Sequence, residues 1–85
     1  MNVTATFKHL EHTDALDEII QKKSKKLEKH FRNDCDLKWV CWVDKREHHA
    51  EVIVKNGQND YMAKAHSDDM YKSIDQVIHK IENQL

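Results

Sequence analysis

Apolar and polar residues alternate from the start of the chain. Val3, Ala5 and Phe7 face one way and Asn2, Thr4 and Thr6 the other, the period of a half-buried strand. Lys8 to His12 make a connection. From Thr13 the period becomes helical, with Leu16, Ile19, Ile20, Leu27 and Phe31 along one side. Thr13 is placed to cap this helix, and Asp14, Asp17 and Glu18 complement the positive end of its dipole. The spacing predicts a helix to about Phe31, with Arg32-Asn33-Asp34 turning the chain. Leu37 to Val43 is β-branched and aromatic, with Leu37, Trp39, Cys41 and Val43 on one face. A polar turn near Asp44 to Glu47 leads to a strand with Ala50, Val52 and Val54 on one side. Asn56-Gly57 supplies a hairpin turn, and Tyr61, Ala63 and Ala65 mark a fourth strand. Ser67 is expected to cap a last helix, with Asp68 and Asp69 at its start. Met70, Tyr71, Ile74, Val77, Ile78, Ile81 and Leu85 form its apolar side.

The predicted order is β-α-β-β-β-α. It describes an α+β fold, a four-stranded sheet with two helices packed on one face, which buries both apolar stripes. Its 85 residues suffice for one domain over 1–85 with a single core, and leave little room for a catalytic cavity. No glycine-rich phosphate loop, nucleophile motif or paired acids at a strand end is present, so an enzyme is not expected. No run approaches the roughly 18 apolar residues that span a bilayer. The first residues also lack the basic start and apolar run of a signal peptide. The expectation is a cytoplasmic protein without membrane contact. Cys35 and Cys41 are six residues apart on one strand, about 20 Å when extended, too far for a disulfide. Two buried thiols suit a reducing compartment.

Charge changes the picture more than composition does. The formal net charge is only -1, yet residues 22–32 hold six of the 14 Lys and Arg against one acid, Glu28. At about 100° per residue, Lys22, Lys25, Lys26, Lys29 and Arg32 fall within a sector of roughly 120° opposite the apolar side, with Lys23 at the border. A core-docked helix with a cationic outer stripe is an electrostatic footprint for phosphate. On the last helix Lys72, Gln76, His79 and Asn83 form the outer stripe, with Lys80 at its edge. Seven histidines give no metal-ligand spacing, so neither a metal nor a cofactor is expected. His30 lies beside the lysine stripe and His79 within the polar face of the last helix. Trp42, Val40, Ile53 and Met62 fall on the sheet face away from the helices, with Lys38, Glu51, Lys55 and Lys64 around them.

Thr-Asp-Ala-Leu at 13–16, Lys-Lys-Leu-Glu-Lys-His-Phe at 25–31 and Asp-Met-Tyr-Lys-Ser-Ile-Asp at 69–75, with the order of elements, resemble the ribosome hibernation-promoting factor family. That family is also called ribosome-associated inhibitor or sigma-factor modulation protein. The resemblance spans the whole chain and looks like the short form. It implies a protein that binds the small ribosomal subunit and its rRNA in the channel for tRNA and mRNA. There it would inhibit translation during stress or stationary phase, beside a separate ribosome modulation factor, and be a monomer off the ribosome. The family's basic positions match Lys22, Lys23, Lys26, Lys29 and Lys80. With the wider stripe, the expected RNA-binding set is Lys22, Lys23, Lys25, Lys26, Lys29, Arg32, Lys72, His79 and Lys80. Ser24 stands where the family usually has a large apolar residue, which is expected to weaken the first helix's core stripe, and Asn83 where it often has a basic one. The lysine-rich tail of many short members is absent. The element order without its first strand is also similar to double-stranded-RNA-binding domains. A generic duplex-RNA module and a protein-binding regulator therefore stay open as alternatives.

Overall fold

The alternating segments pair into one sheet, in the order β1 (Asn2–Lys8), β2 (Cys35–Asp44), β3 (Glu47–Asn56) and β4 (Asn59–Ser67). The computed structural model describes residues 1–31, 34–57 and 59–85. β1 and β2 are parallel and need a crossover, which helix α1 (Asp14–Lys25) supplies. The β2–β3 and β3–β4 pairs are antiparallel and joined by tight turns. Helix α2 (Met70–Gln84) follows β4. Because β1, β2 and β4 point the same way, both helices run back against them and start at the same end of the sheet.

One sheet face makes the core. Leu37, Trp39, Cys41, Ala50, Val52, Val54, Ala63 and Ala65 are buried beneath Leu16 and Ile20 of α1 and Met70, Ile74, Val77, Ile78 and Ile81 of α2. Ser24, expected to weaken the apolar stripe of α1, is fully buried, and its Oγ accepts the indole N–H of Trp39 at 3.0 Å. A leucine there would leave that buried donor without a partner, at a cost of about 1–3 kcal/mol. The serine is thus matched to the tryptophan above it.

Two helix boundaries and one face assignment differ from the sequence reading. The first helix does not run regularly to Phe31. From Lys26 the hydrogen bonds tighten to three-residue spacing (Lys26 N–H to Lys23 O at 3.1 Å, Leu27 N–H to Ser24 O at 3.0 Å), and a 3-10 turn covers Glu28–His30. Leu27 and Phe31 stay buried through it. The last helix is capped by Asp69, not Ser67: the Asp69 carboxylate accepts Tyr71 N–H at 2.9 Å. Ser67 ends β4 instead, with its Oγ 2.6 Å from Ser73 Oγ, which donates to the His48 carbonyl. Tyr71 and Leu85, assigned to the apolar stripe, are both 44% exposed, while Ser73 is buried through that hydroxyl relay. In the expected turn at 32–34, Arg32 and Asn33 lie outside the described residues, and Asp34 has φ 67.

Helix side chains cover the open edges of the sheet. On β4, Lys80 Nζ donates to Lys64 O at 2.7 Å and Gln84 Nε2 to Met62 O at 2.8 Å; on β1, Gln21 Nε2 reaches Val3 O at 3.5 Å. These contacts occupy carbonyls that would otherwise invite a foreign strand.

The β2–β3 hairpin turns on Lys45 (φ 50) and Arg46 (φ 69). A two-residue turn with both φ positive favours Asn-Gly, and the left-handed region costs other residues about 1–2 kcal/mol each. The double substitution Lys45→Asn/Arg46→Gly should therefore raise stability by about 1 kcal/mol, read as a higher denaturation midpoint at unchanged slope. An unchanged or lower midpoint would mean that the lysine and arginine are favoured there for other reasons.

Both cysteines are free and buried. Burial pushes the Cys41 thiol up to about 12 and the Cys35 thiol up as well. A folded-state pKa above the unfolded one adds stability that is complete below the unfolded value, near 9, and is lost as pH rises towards 12. For Cys41 the full effect is on the order of 4 kcal/mol. The melting temperature should fall more steeply between pH 9 and 11 in the native chain than in Cys41→Ala. Parallel curves would contradict this.

Candidate nucleic-acid interface

The helix layer is polarised along its length. At the end where both helices start, a cleft of about 670 Å³ is lined by Leu10, Thr13, Leu16, His48, Met70 and Tyr71, together with Glu11, Asp68, Asp69 and Lys72. Asp14 and Asp17 stand in the first turn of α1, complementing the helix dipole. Basic residues gather at the opposite end of α1, where cations favour the negative end of the dipole. An approaching polyanion meets repulsion at one end and attraction at the other, which fixes orientation as well as affinity.

Lys22, Lys25, Lys26 and Lys29 are all exposed, and no carboxylate pairs with any of them among the described residues. Lys22 and Lys25 lie in α1, Lys26 caps its end and Lys29 lies in the 3-10 turn that follows, and all four stay exposed.

Lys23 behaves differently. It points between the helices, where its Nζ lies 2.9 Å from Asp75 of α2. The hydrogen bond to Asp75 raises its pKa above the ordinary lysine value. Its charge is spent on holding α1 to α2, and Asp75 is the residue that sequence reasoning missed. The sequence predicts both helices on one sheet face but does not set which residues of the two meet, so Asp75 was visible only as an acid on the exposed side of α2. One turn beyond Asp75, on the same edge of α2, His79 is exposed and level with the basic end of α1.

The other members of the expected set stand apart. Lys72 lies one turn into α2 and pairs with Asp68 at 3.1 Å, a hydrogen bond that holds the Asp68 carboxyl below the usual carboxylate range. Lys80 is exposed but turned to the β4 edge, on the Lys64 carbonyl. Arg32 lies outside the described residues. The structure thus leaves Lys22, Lys25, Lys26 and Lys29 exposed together at one end of the α1 segment, with His79 exposed on α2, and engages Lys72 and Lys80 elsewhere. Lysine ammonium groups on flexible stems act as point charges, suited to phosphates whose spacing varies.

Among the described residues no group of three His, Cys, Asp or Glu converges as a metal site, and no helix is long and apolar enough to cross a membrane.

Comparison with known proteins agrees with the fold. The Escherichia coli (strain K12) ribosome hibernation promoting factor is 32% identical over all 85 residues, which span 90% of that protein. The Azotobacter vinelandii factor of the same name is 29% identical over 85 residues, 79% of its length. The N-terminal domain of Thermus thermophilus Protein Y superposes with a TM-score of 0.91 at 25% identity, covering 99% of this chain and 94% of that one. A ribosomal subunit interface protein from Coxiella burnetii gives 0.82 at 28% identity, over 100% and 93% of the two chains. The family model described as Sigma 54 modulation protein / S30EA ribosomal protein matches residues 3–85, and the chain belongs to that family.

Proposed function

We propose that this protein binds the small ribosomal subunit through its 16S rRNA, in the channel used by tRNA and mRNA, and so holds the ribosome inactive during stress or stationary phase. The observation that carries this reading is the exposed cationic corner formed by Lys22, Lys25, Lys26 and Lys29 on a core-docked helix end. The family and the names of its relatives supply the ribosome as the source of phosphate. The chemistry is binding without catalysis, at a site in the cytoplasm, beside a separate ribosome modulation factor where one exists. Occupying the channel is sufficient to exclude tRNA and mRNA.

Phosphate contact makes the reading testable by salt. If about four to six phosphates are neutralised, log affinity should fall against log salt with a slope of roughly -3 to -5. Sedimentation with small subunits across a salt series measures it. A flat dependence would favour docking on ribosomal protein, as would binding that survives nuclease digestion of the rRNA.

A further inference from the structure

The sheet face turned away from the helices carries a row that the cationic corner does not use. Strand register places Lys8 beside Trp42, Trp42 beside His49 and His49 beside His66, one residue from each strand. The Trp42 indole lies flat on the His49 imidazole, with centroids 4.9 Å apart and planes 1° from parallel. His66 leans on His49 at 5.3 Å and 35°. The Glu47 carboxylate sits 3.2 Å from His66 Nδ1 and 3.7 Å from His49 Nε2. The indole is therefore held upright by a ring that is itself held by a neighbour and a carboxylate.

On the Lys8 side of Trp42 an open cleft of about 380 Å³ is lined by Lys8, His9, Val40, Trp42 and Glu51. A second hollow shares His9 and Trp42 and adds Val43, Asp44 and Lys45. His9 (φ 57), Lys45 (φ 50) and Arg46 (φ 69) all take the left-handed backbone region. His9 and Lys45, both lining these hollows, thus occupy positions where Asn or Gly would fit the backbone with less strain. A rigid aromatic plane with a cleft beside it and cations at the mouth is complementary to a stacked base carrying a phosphodiester. Open four-stranded sheets take up unstacked bases of single-stranded RNA on aromatic side chains in the same manner.

We propose that this cleft is a second nucleic-acid contact, taking one unpaired base of a single-stranded RNA segment against the Trp42 indole, with the flanking phosphates on Lys8 and Lys45. The choice of RNA as occupant rests on the function proposed above. The site itself is on the opposite face from the cationic corner. Glu51 on the cleft wall is placed to accept from the amino group of a base, and Lys64, its β4 neighbour in register, lies on the same face.

The test is a fluorescence titration of the folded chain with single-stranded RNA hexamers, a duplex of the same length and an abasic ribose-phosphate hexamer. Trp39 is 1% exposed and does not reach ligand, so quenching reports on Trp42. The single strand should quench the emission and the duplex and abasic strands should not. Trp42→Leu should weaken hexamer binding by about tenfold or more, the usual worth of one base stacked on an aromatic ring. Lys22→Glu/Lys26→Glu/Lys29→Glu should keep the quenching. Absent quenching, equal quenching by the abasic strand, or equal affinity of Trp42→Leu overturns the proposal. A concentration-dependent dimer that Trp42→Leu abolishes, with no hexamer binding, would make the face a self-association surface and equally overturn it. Small-subunit binding without hexamer quenching removes this site and leaves the proposed function standing; the reverse pattern removes the function and leaves the site.

Discussion

Reversing three charges, in Lys22→Glu/Lys26→Glu/Lys29→Glu, should reduce ribosome association by roughly a hundredfold or more at physiological salt, at about 1 kcal/mol or more for each phosphate that is no longer neutralised. The fold should survive, because all three side chains are exposed and no ion pair among the described residues uses them. Surface changes of this kind usually shift stability by no more than about 0.5 kcal/mol each. Lys72→Glu provides the internal control. It makes the same kind of charge reversal, but Lys72 stands near the acidic end of the helix layer and already faces Asp68. If the cationic corner is the footprint, Lys72→Glu should weaken association only a few-fold. Equal losses from both variants would mean that overall charge, not this corner, governs binding. Undiminished sedimentation of the folded triple variant would remove the corner altogether.

The largest effect on stability is expected at the centre of α2. Ile74 has no exposed surface, so Ile74→Asp buries a carboxylate with no partner and removes a large apolar side chain from the core. A loss of about 4 kcal/mol or more follows, against total stabilities of roughly 5–15 kcal/mol for domains. At about 4–8 °C per kcal/mol for a chain of this size, the melting temperature should drop by some 15–30 °C. Tyr71→Asp, three residues earlier, should change it little, because Tyr71 is exposed. The sequence pattern assigned both residues to the same stripe, so this pair of variants tests the structure where it departs from periodicity. Equal effects at the two positions would restore the original stripe.

Periodicity made the element order, both helices' core faces and the inward direction of Trp39 legible, because each rests on local alternation that tertiary contacts reinforce. What escaped it depends on partners far away in sequence. Ser24 reads as a flaw in an apolar stripe until the Trp39 indole, fifteen residues on, is seen to need an acceptor. Asp69 overrides Ser67 as the cap because Ser67 is held in β4 and bonded to Ser73. The early tightening of the first helix leaves no mark on residue spacing, since Leu27 and Phe31 are buried in either geometry. Of the candidate site, the charge cluster was visible as composition along a helix. The separation of Lys23 and Lys80 from it was not, because each is engaged by a group that only the packing brings near, Asp75 and the Lys64 carbonyl; Lys72 pairs locally with Asp68, four residues before it. The Trp42–His49–His66 row likewise needs the register of three strands, which alternation alone does not set.

Sucrose-gradient sedimentation of the purified protein with separated small and large ribosomal subunits tests the central claim most directly. The protein should travel with the small subunit at low and physiological salt, be released as salt rises, and be displaced by tRNA bound to the same subunit. Migration at the top of the gradient in every condition, or with the large subunit alone, would contradict it.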